Sequence, residues 1–198
     1  MKTLMTLALA LTTTLTAVAQ DKPMTASYKV DSTASTVKWT GKKITGEHTG
    51  KLTVKDGSLT FAGDLITAGE VNVDMNSLTI TDIPATDENN AKLLGHLKSP
   101  DFFNVAKYPD AKLVITSSEK TKTGLKVKGS LTFIGKTNPI EFDAKVTKSD
   151  SSVNAKSDLK IDRTKWDLKY GSDSFFKGLG DKAINNEFHL SVDLTAKK

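Results

Sequence analysis

Three His, one Arg and no Cys bound the chemistry open to this chain. His48, His96 and His189 are far apart and form no spaced pair, so they offer no local metal-ligand pattern. Without Cys there is no thiolate ligand, thiol nucleophile, disulfide or lipid-anchored Cys. No G-x-S-x-G elbow, phosphate loop or dinucleotide fingerprint occurs. Gly171-Ser172-Asp173-Ser174 reads as a loose loop, not as the strained turn that an activated Ser needs. Carboxylates are plentiful, but none is paired at a spacing that marks acid–base work. These residues imply a non-catalytic protein with no metal and no cofactor.

Arg163 stands out as the sole Arg, placed where an alternating run ends and an aromatic segment begins. Its structural reading is an ion pair with Asp162 or Asp167. Its functional reading is a polar contact to a ligand head group. His96 lies on an apolar stretch just ahead of Phe102-Phe103, where it could place a polar contact near a barrel mouth. Trp39 and Trp166 read as packing residues. Phe102-Phe103 and Phe175-Phe176 are adjacent pairs. On a strand one member of each would face outward, so their placement on insertions implies that both sides are covered.

The elements that must position these residues are mostly strands. Leu125, Val127, Gly129, Leu131 and Phe133 alternate with polar residues, as do Ile140, Phe142, Ala144 and Val146. The clearest run is Ile184, Asn186, Phe188, Leu190, Val192 and Leu194. Such alternation puts every second side chain on one face of a sheet. Strands are expected near 26–40, 46–55, 58–63, 69–80, 111–119, 124–134, 139–148, 152–161 and 183–196, the second and third able to run on as one. Asp56-Gly57 reads as a hairpin turn. A short helix is expected over 87–98, capped by Thr86 or Asp87, striped by Leu93, Leu94 and Leu97, and ended by Ser99-Pro100. An aromatic-rich insertion fills 162–182. Short turns join nearly all neighbours, which makes an antiparallel meander, and a long meander loses its exposed edges by closing. The fold class is therefore all-β: a single extended antiparallel β-barrel of about eight strands, with one short helix and one aromatic insertion.

Residues 1–19 read as a secretory leader: Lys2, an uncharged stretch from Leu4 to Leu15, then Ala17-Val18-Ala19 before polar Gln20. Cleavage is expected after Ala19, with a flexible lead-in over 20–25 and one domain over 26–198. The apolar run is short of the roughly 20 residues that span a bilayer. Net charge is +5, but it is carried by scattered Lys, too dispersed for a nucleic-acid footprint.

The stretch Gly95-His96-Leu97-Lys98-Ser99-Pro100-Asp101-Phe102-Phe103-Asn104-Val105-Ala106-Lys107-Tyr108-Pro109 resembles the H-L-(R/K)-S-x-D-F-F-(D/N)-V-x-K-Y-P signature of YceI-like proteins. Gly129 to Ile140 is similar to that family's G-x-L-T-(L/I)-x-G-x-T-(R/K/N)-P-V segment, and Ile161-Asp162-Arg163-Thr164-Lys165-Trp166 to its I-D-R-(S/T)-x-(F/W). The opening Tyr28-x-Val30-Asp31 with Ser35-x-Val37-x-Trp39 also fits. The resemblance implies a lipocalin-like barrel, periplasmic or secreted, that binds a polyisoprenoid or other long-chain apolar lipid inside its cavity. The dispersed charge implies no nucleic-acid partner, the lack of a long apolar segment after the leader implies no stable membrane insertion, and a monomer or homodimer is expected. Where many members carry a His this chain has Ile134, and where they carry an Arg-Asp pair it has Leu93-Leu94, which makes the expected mouth more apolar.

On that reading the polar ligand contacts are His96, Asp101, Thr137 and Arg163. The apolar lining is Leu94, Phe102, Phe133, Phe142, Phe175, Phe176 and Phe188. Two other readings make different structural demands. A stress-related or structural exported module acting through a protein partner would have a filled core and a sizeable exposed apolar patch. An enzyme would bring a carboxylate or His pair together in the pocket.

Overall fold

The computed structural model describes residues 24–198. The leader expected over 1–19 lies outside them. The chain runs β1 (Thr25–Val30), β2 (Thr36–Lys43), β3 (Gly46–Ala62), β4 (Leu65–Ile80), α1 (Glu88–Lys98), β5 (Asp110–Lys120), β6 (Leu125–Phe133), β7 (Lys136–Lys148), β8 (Ser152–Asp162) and β9 (Ile184–Lys197). All pairings are antiparallel. The order β2-β9-β8-β7-β6-β5-β4-β3 closes because β3 also pairs with β2.

Nine strands fill eight wall positions because β1 and β2 share one. Both lie antiparallel to β3, with β1 opposite Ser58–Ala62 and β2 opposite Gly46–Leu52. The single strand expected over 26–40 is thus one wall position broken in two. The break is a self-capped turn: the Asp31 carboxylate accepts from the Thr33 and Ala34 amides, both at 3.1 Å, and from Thr33 Oγ1 at 2.7 Å. Ser35 Oγ donates to the Asp31 carbonyl at 2.7 Å and so closes the same turn.

Several boundaries differ from expectation: β4 starts at Leu65 instead of 69 and β7 at Lys136 instead of 139. Thr25, placed in the lead-in by sequence, already pairs with Ala62. Asp56-Gly57 is no hairpin. It lies inside β3, where the pairing with β4 shifts register between Val54 and Asp56. A Cβ on Gly57 would sit 2.5 Å from the Glu70 carbonyl, so glycine is there to let β4 approach closely.

The helix starts at Asp87, whose carboxylate accepts from the Asn89 amide at 2.8 Å. It stops at Ser99, before Pro100. Leu97 is its buried contact, packed with Trp39, Leu78, Ile80, Phe102 and Leu168. No helix among the described residues is long and apolar enough to cross a membrane.

The wall is not uniform. At one end the inward side chains meet: Phe61, Val153 and Ala196 have almost no exposed surface, Val30 and Leu125 are buried beside them, and Tyr28 meets Phe61 edge-on at 5.7 Å. Towards the other end β7 and β8 part. Their ladder covers only Lys145–Lys148 against Val153–Lys156. Ser157 Oγ donates to the Asp143 carbonyl at 2.6 Å just beyond the last ladder pair. Past that point a 3-10 turn, Arg163–Trp166, fills the fork. Trp166 Nε1 donates to the Leu131 carbonyl at 3.0 Å, Asn138 Nδ2 to the Lys165 carbonyl at 3.0 Å, and Lys136 pairs with Asp167.

Candidate ligand cavity

Eight strands make a barrel just wide enough either to fill with side chains or to hold one slender ligand. This one is hollow. A cavity of about 210 Å³ runs inside it, lined from every strand from β2 to β9 and by Leu97 of α1. The lining is almost wholly hydrocarbon: Val37, Leu52, Val71, Leu113, Leu131, Ile140, Leu190 and Val192 are representative, and the polar exceptions include Ser157, Arg163, Asn185 and Glu187. Leu113, Leu131, Ile140, Phe142, Leu190 and Val192 keep part of their surface uncovered although they line the interior. Asn185 and Glu187, at the start of β9, are the two exposed lining residues. They mark the mouth, at the end where β7 and β8 part and opposite the tightly packed end.

Of the residues singled out by sequence, Phe102, Phe133, Phe142, Phe188 and Arg163 lie on the lining. Phe102 sits edge-on to Phe103 at 4.8 Å, and Phe133 to Phe188 at 6.2 Å. Leu94 is off the lining, half-buried against the cluster under α1. Phe175 and Phe176 are 49% and 50% exposed, because Ser172 turns the chain back on itself and both amides donate to its carbonyl. His96 meets Tyr170 at 4.7 Å and Phe102 at 5.8 Å, just outside the lining. Asp101 is exposed, and Thr137 is an exposed partner of Thr132 at 2.7 Å.

Arg163 differs most from its sequence reading. It is 2% exposed, and among the described residues it forms no ion pair. Its guanidinium donates to four backbone carbonyls: Leu168 (2.7 Å), Tyr170 (2.8 Å), Ile184 (2.9 Å) and Asn185 (3.0 Å). Asp162 instead caps the 3-10 turn through Thr164, and Asp167 pairs with Lys136 and Lys169. Burial pushes the guanidinium below its ordinary pKa, offset in part by the charges of Asp162 and Asp173. The rigid, many-donor fork of an Arg lets one side chain tie both ends of the aromatic insertion to the rim. One of its five N–H groups remains beyond those four bonds, on a side chain that borders the cavity.

Trp39 is on the lining, although sequence reasoning read it as packing alone; its Nε1 donates to the Thr79 carbonyl at 3.1 Å. Alternation along 36–43 is the signal that places it inward. A second hollow, about 600 Å³, lies against the outer wall among Lys38, Lys51, Lys160 and His189. It is the larger by volume. The inner cavity is nevertheless the better ligand site, because its walls are almost wholly apolar and lie inside the barrel. No cluster of three or more potential metal ligands occurs among the described residues.

Comparison with known proteins agrees with this architecture. The crystal structure of BcnA from Burkholderia cenocepacia superposes with a TM-score of 0.64, covering 85% of this chain and 99% of that one at 19% identity. A polyisoprenoid binding domain from Saccharophagus degradans, implicated in plant cell wall breakdown, superposes at 0.61 with 17% identity, covering 86% and 97%. In sequence, Protein YceI of Escherichia coli O157:H7 is 38% identical over 91 residues, and Protein YceI of Salmonella arizonae is 37% identical over the same length. Each alignment spans 46% of this chain and 44% of the relative. The family model for the YceI-like domain matches residues 28–196, nearly all of the barrel, and on that match the chain belongs to the YceI-like family.

Proposed function

We propose that this protein binds one long-chain apolar lipid, isoprenoid-like in character, inside its barrel, and carries or sequesters it outside the cytoplasm. The observation that supports the reading is the cavity: enclosed, hydrocarbon-lined along its length, and open at one end. Each buried CH₂ contributes roughly 0.8 kcal/mol, so a chain of such units can be held without strong polar contacts. Phe102, Phe133 and Phe188 would contact the tail near the mouth and Phe142 deeper in the barrel, and the remaining Arg163 N–H would meet an acceptor on the head group. Likeness to the Saccharophagus degradans polyisoprenoid binding domain points to the same ligand class. Export rests on the leader read in residues 1–19.

The test is to express the protein, extract it with organic solvent and identify lipids by mass spectrometry. The delipidated protein is then offered a polyprenol. A co-purified lipid, or saturable uptake near one per chain, is expected. No lipid and no uptake would refute the reading.

A further inference from the structure

Five large hydrophobic side chains stand exposed among the described residues: Met24, Ile44, Tyr170, Phe175 and Phe176. Four of them gather on one rim. Tyr170, Phe175 and Phe176 belong to the loop that Arg163 ties down between the 3-10 turn and β9. Ile44, 68% exposed, tips the β2–β3 hairpin, whose Lys43 pairs with Ile184 at the point where that loop enters β9. Met24 precedes β1, whose first residue pairs with Ala62 at the opposite end. The rim is the same one that carries the cavity mouth, since Asn185 and Glu187 follow closely on Ile184.

The apolar surface is continuous from inside to outside. Phe102 lines the cavity and meets Tyr170 edge-on at 6.3 Å, and Tyr170 is 45% exposed. The Lys169 ammonium lies 4.9 Å from the Phe175 ring centre, and Lys177 follows Phe176 directly. Exposed aromatics flanked by Lys are the composition of a surface that sits at the water–lipid boundary, rings in the acyl region and ammonium groups among the head groups. Asp167, Asp173 and Asp181 nearly offset the loop's Lys charges, so burial of the rings supplies the attraction rather than net charge.

We infer that the mouth rim, Ile44 with Tyr170, Phe175 and Phe176, is a bilayer-docking surface that seats the open end of the cavity on a membrane. This rests on the cavity holding an apolar lipid: such a ligand dissolves in bilayers and not in water, so the surface that supplies it is a membrane. The docking is peripheral, and no strand or helix enters the hydrocarbon core.

The test is flotation of the full chain with phosphatidylcholine vesicles, with and without phosphatidylglycerol. The wild-type protein is expected to float with both. Phe175→Ser with Phe176→Ser should cut the bound fraction roughly tenfold or more, and Met24→Ser should leave it unchanged. Neither Phe lines the cavity, so the double variant should keep its co-purified lipid. A wild-type protein that stays off vesicles overturns the inference, as does one held to them only by another protein. A double variant that floats as well as Met24→Ser overturns it too. Flotation of a protein that neither co-purifies with a lipid nor takes up added polyprenol would sink the cavity reading and leave the docking surface standing.

Discussion

The two ends of this barrel are built from the same alternating strands and behave oppositely. At the closed end, side chains of β1, β3, β6, β8 and β9 pack together, and Phe61, Val153 and Ala196 are almost fully buried. At the open end the wall forks between β7 and β8, and a 3-10 turn, a helix and an aromatic loop take the place of strands. Apolar packing holds the closed end. A single buried guanidinium and a set of backbone acceptors hold the rim. Hydrophobic alternation can therefore specify a wall without specifying whether it is filled, because the same inward residues either touch each other or face a void.

The difference predicts unequal responses to mutation. Phe61→Ala at the closed end removes a ring that is 1% exposed and packed on Tyr28, and should cost about 4 kcal/mol in urea unfolding. A loss below about 1 kcal/mol would mean that this end is not the packed core. Arg163→Ala should cost about 3 kcal/mol, since four backbone carbonyls, one buried and three part-buried, lose their donor. Hydrogen exchange should show the loss confined to the segment from Arg163 to Glu187, with β1 and β3 still protected. Uniform loss of protection would erase the contrast between the ends.

Ala155→Trp probes the void itself. Ala155 lines the cavity and is only partly covered, so a larger ring has room. Stability should change by under about 1.5 kcal/mol, while polyprenol uptake falls roughly tenfold. The same enlargement at Val153, 1% exposed and off the cavity lining, should destabilise by about 1–3 kcal/mol.

The smallest effect expected is a pH dependence at the closed end. Hydrogen bonds from Lys197, Thr33 and Ala34 hold the Asp31 carboxyl well below its ordinary range. A depressed folded-state pKa contributes stability above the unfolded value, about pH 4, and that contribution is lost as pH falls below it. Asp31→Asn should therefore make the acid limb of the stability curve shallower and leave the neutral and alkaline limbs parallel to wild type. An acid limb of unchanged slope would contradict the assignment.

Much of the wall was legible in sequence. Period-2 alternation placed β5 to β9 within a few residues, and Asp87 with Pro100 bracketed α1. Less legible were features set by contacts across the barrel. Asp56-Gly57 has turn chemistry, yet its glycine answers the close approach of β4, which no local pattern encodes. Arg163 invited a search for a carboxylate, but its partners are carbonyls, which every residue possesses and none advertises. Phe175 and Phe176 carry the hydrophobicity of lining residues, and only the turn at Ser172 shows that they face out. Trp39 is the converse case: its inward position follows from strand parity and not from residue type.

The central claim is that an apolar chain lies inside the barrel, and the two Trp residues report on it directly. Trp39 lines the cavity, and the Trp166 ring lies 5.0 Å from that of Phe133, which also lines it. Titrating delipidated protein with a dibrominated long-chain lipid should quench their fluorescence and saturate near one lipid per chain. Quenching that is absent, or that rises without saturation until the lipid aggregates, would contradict the account.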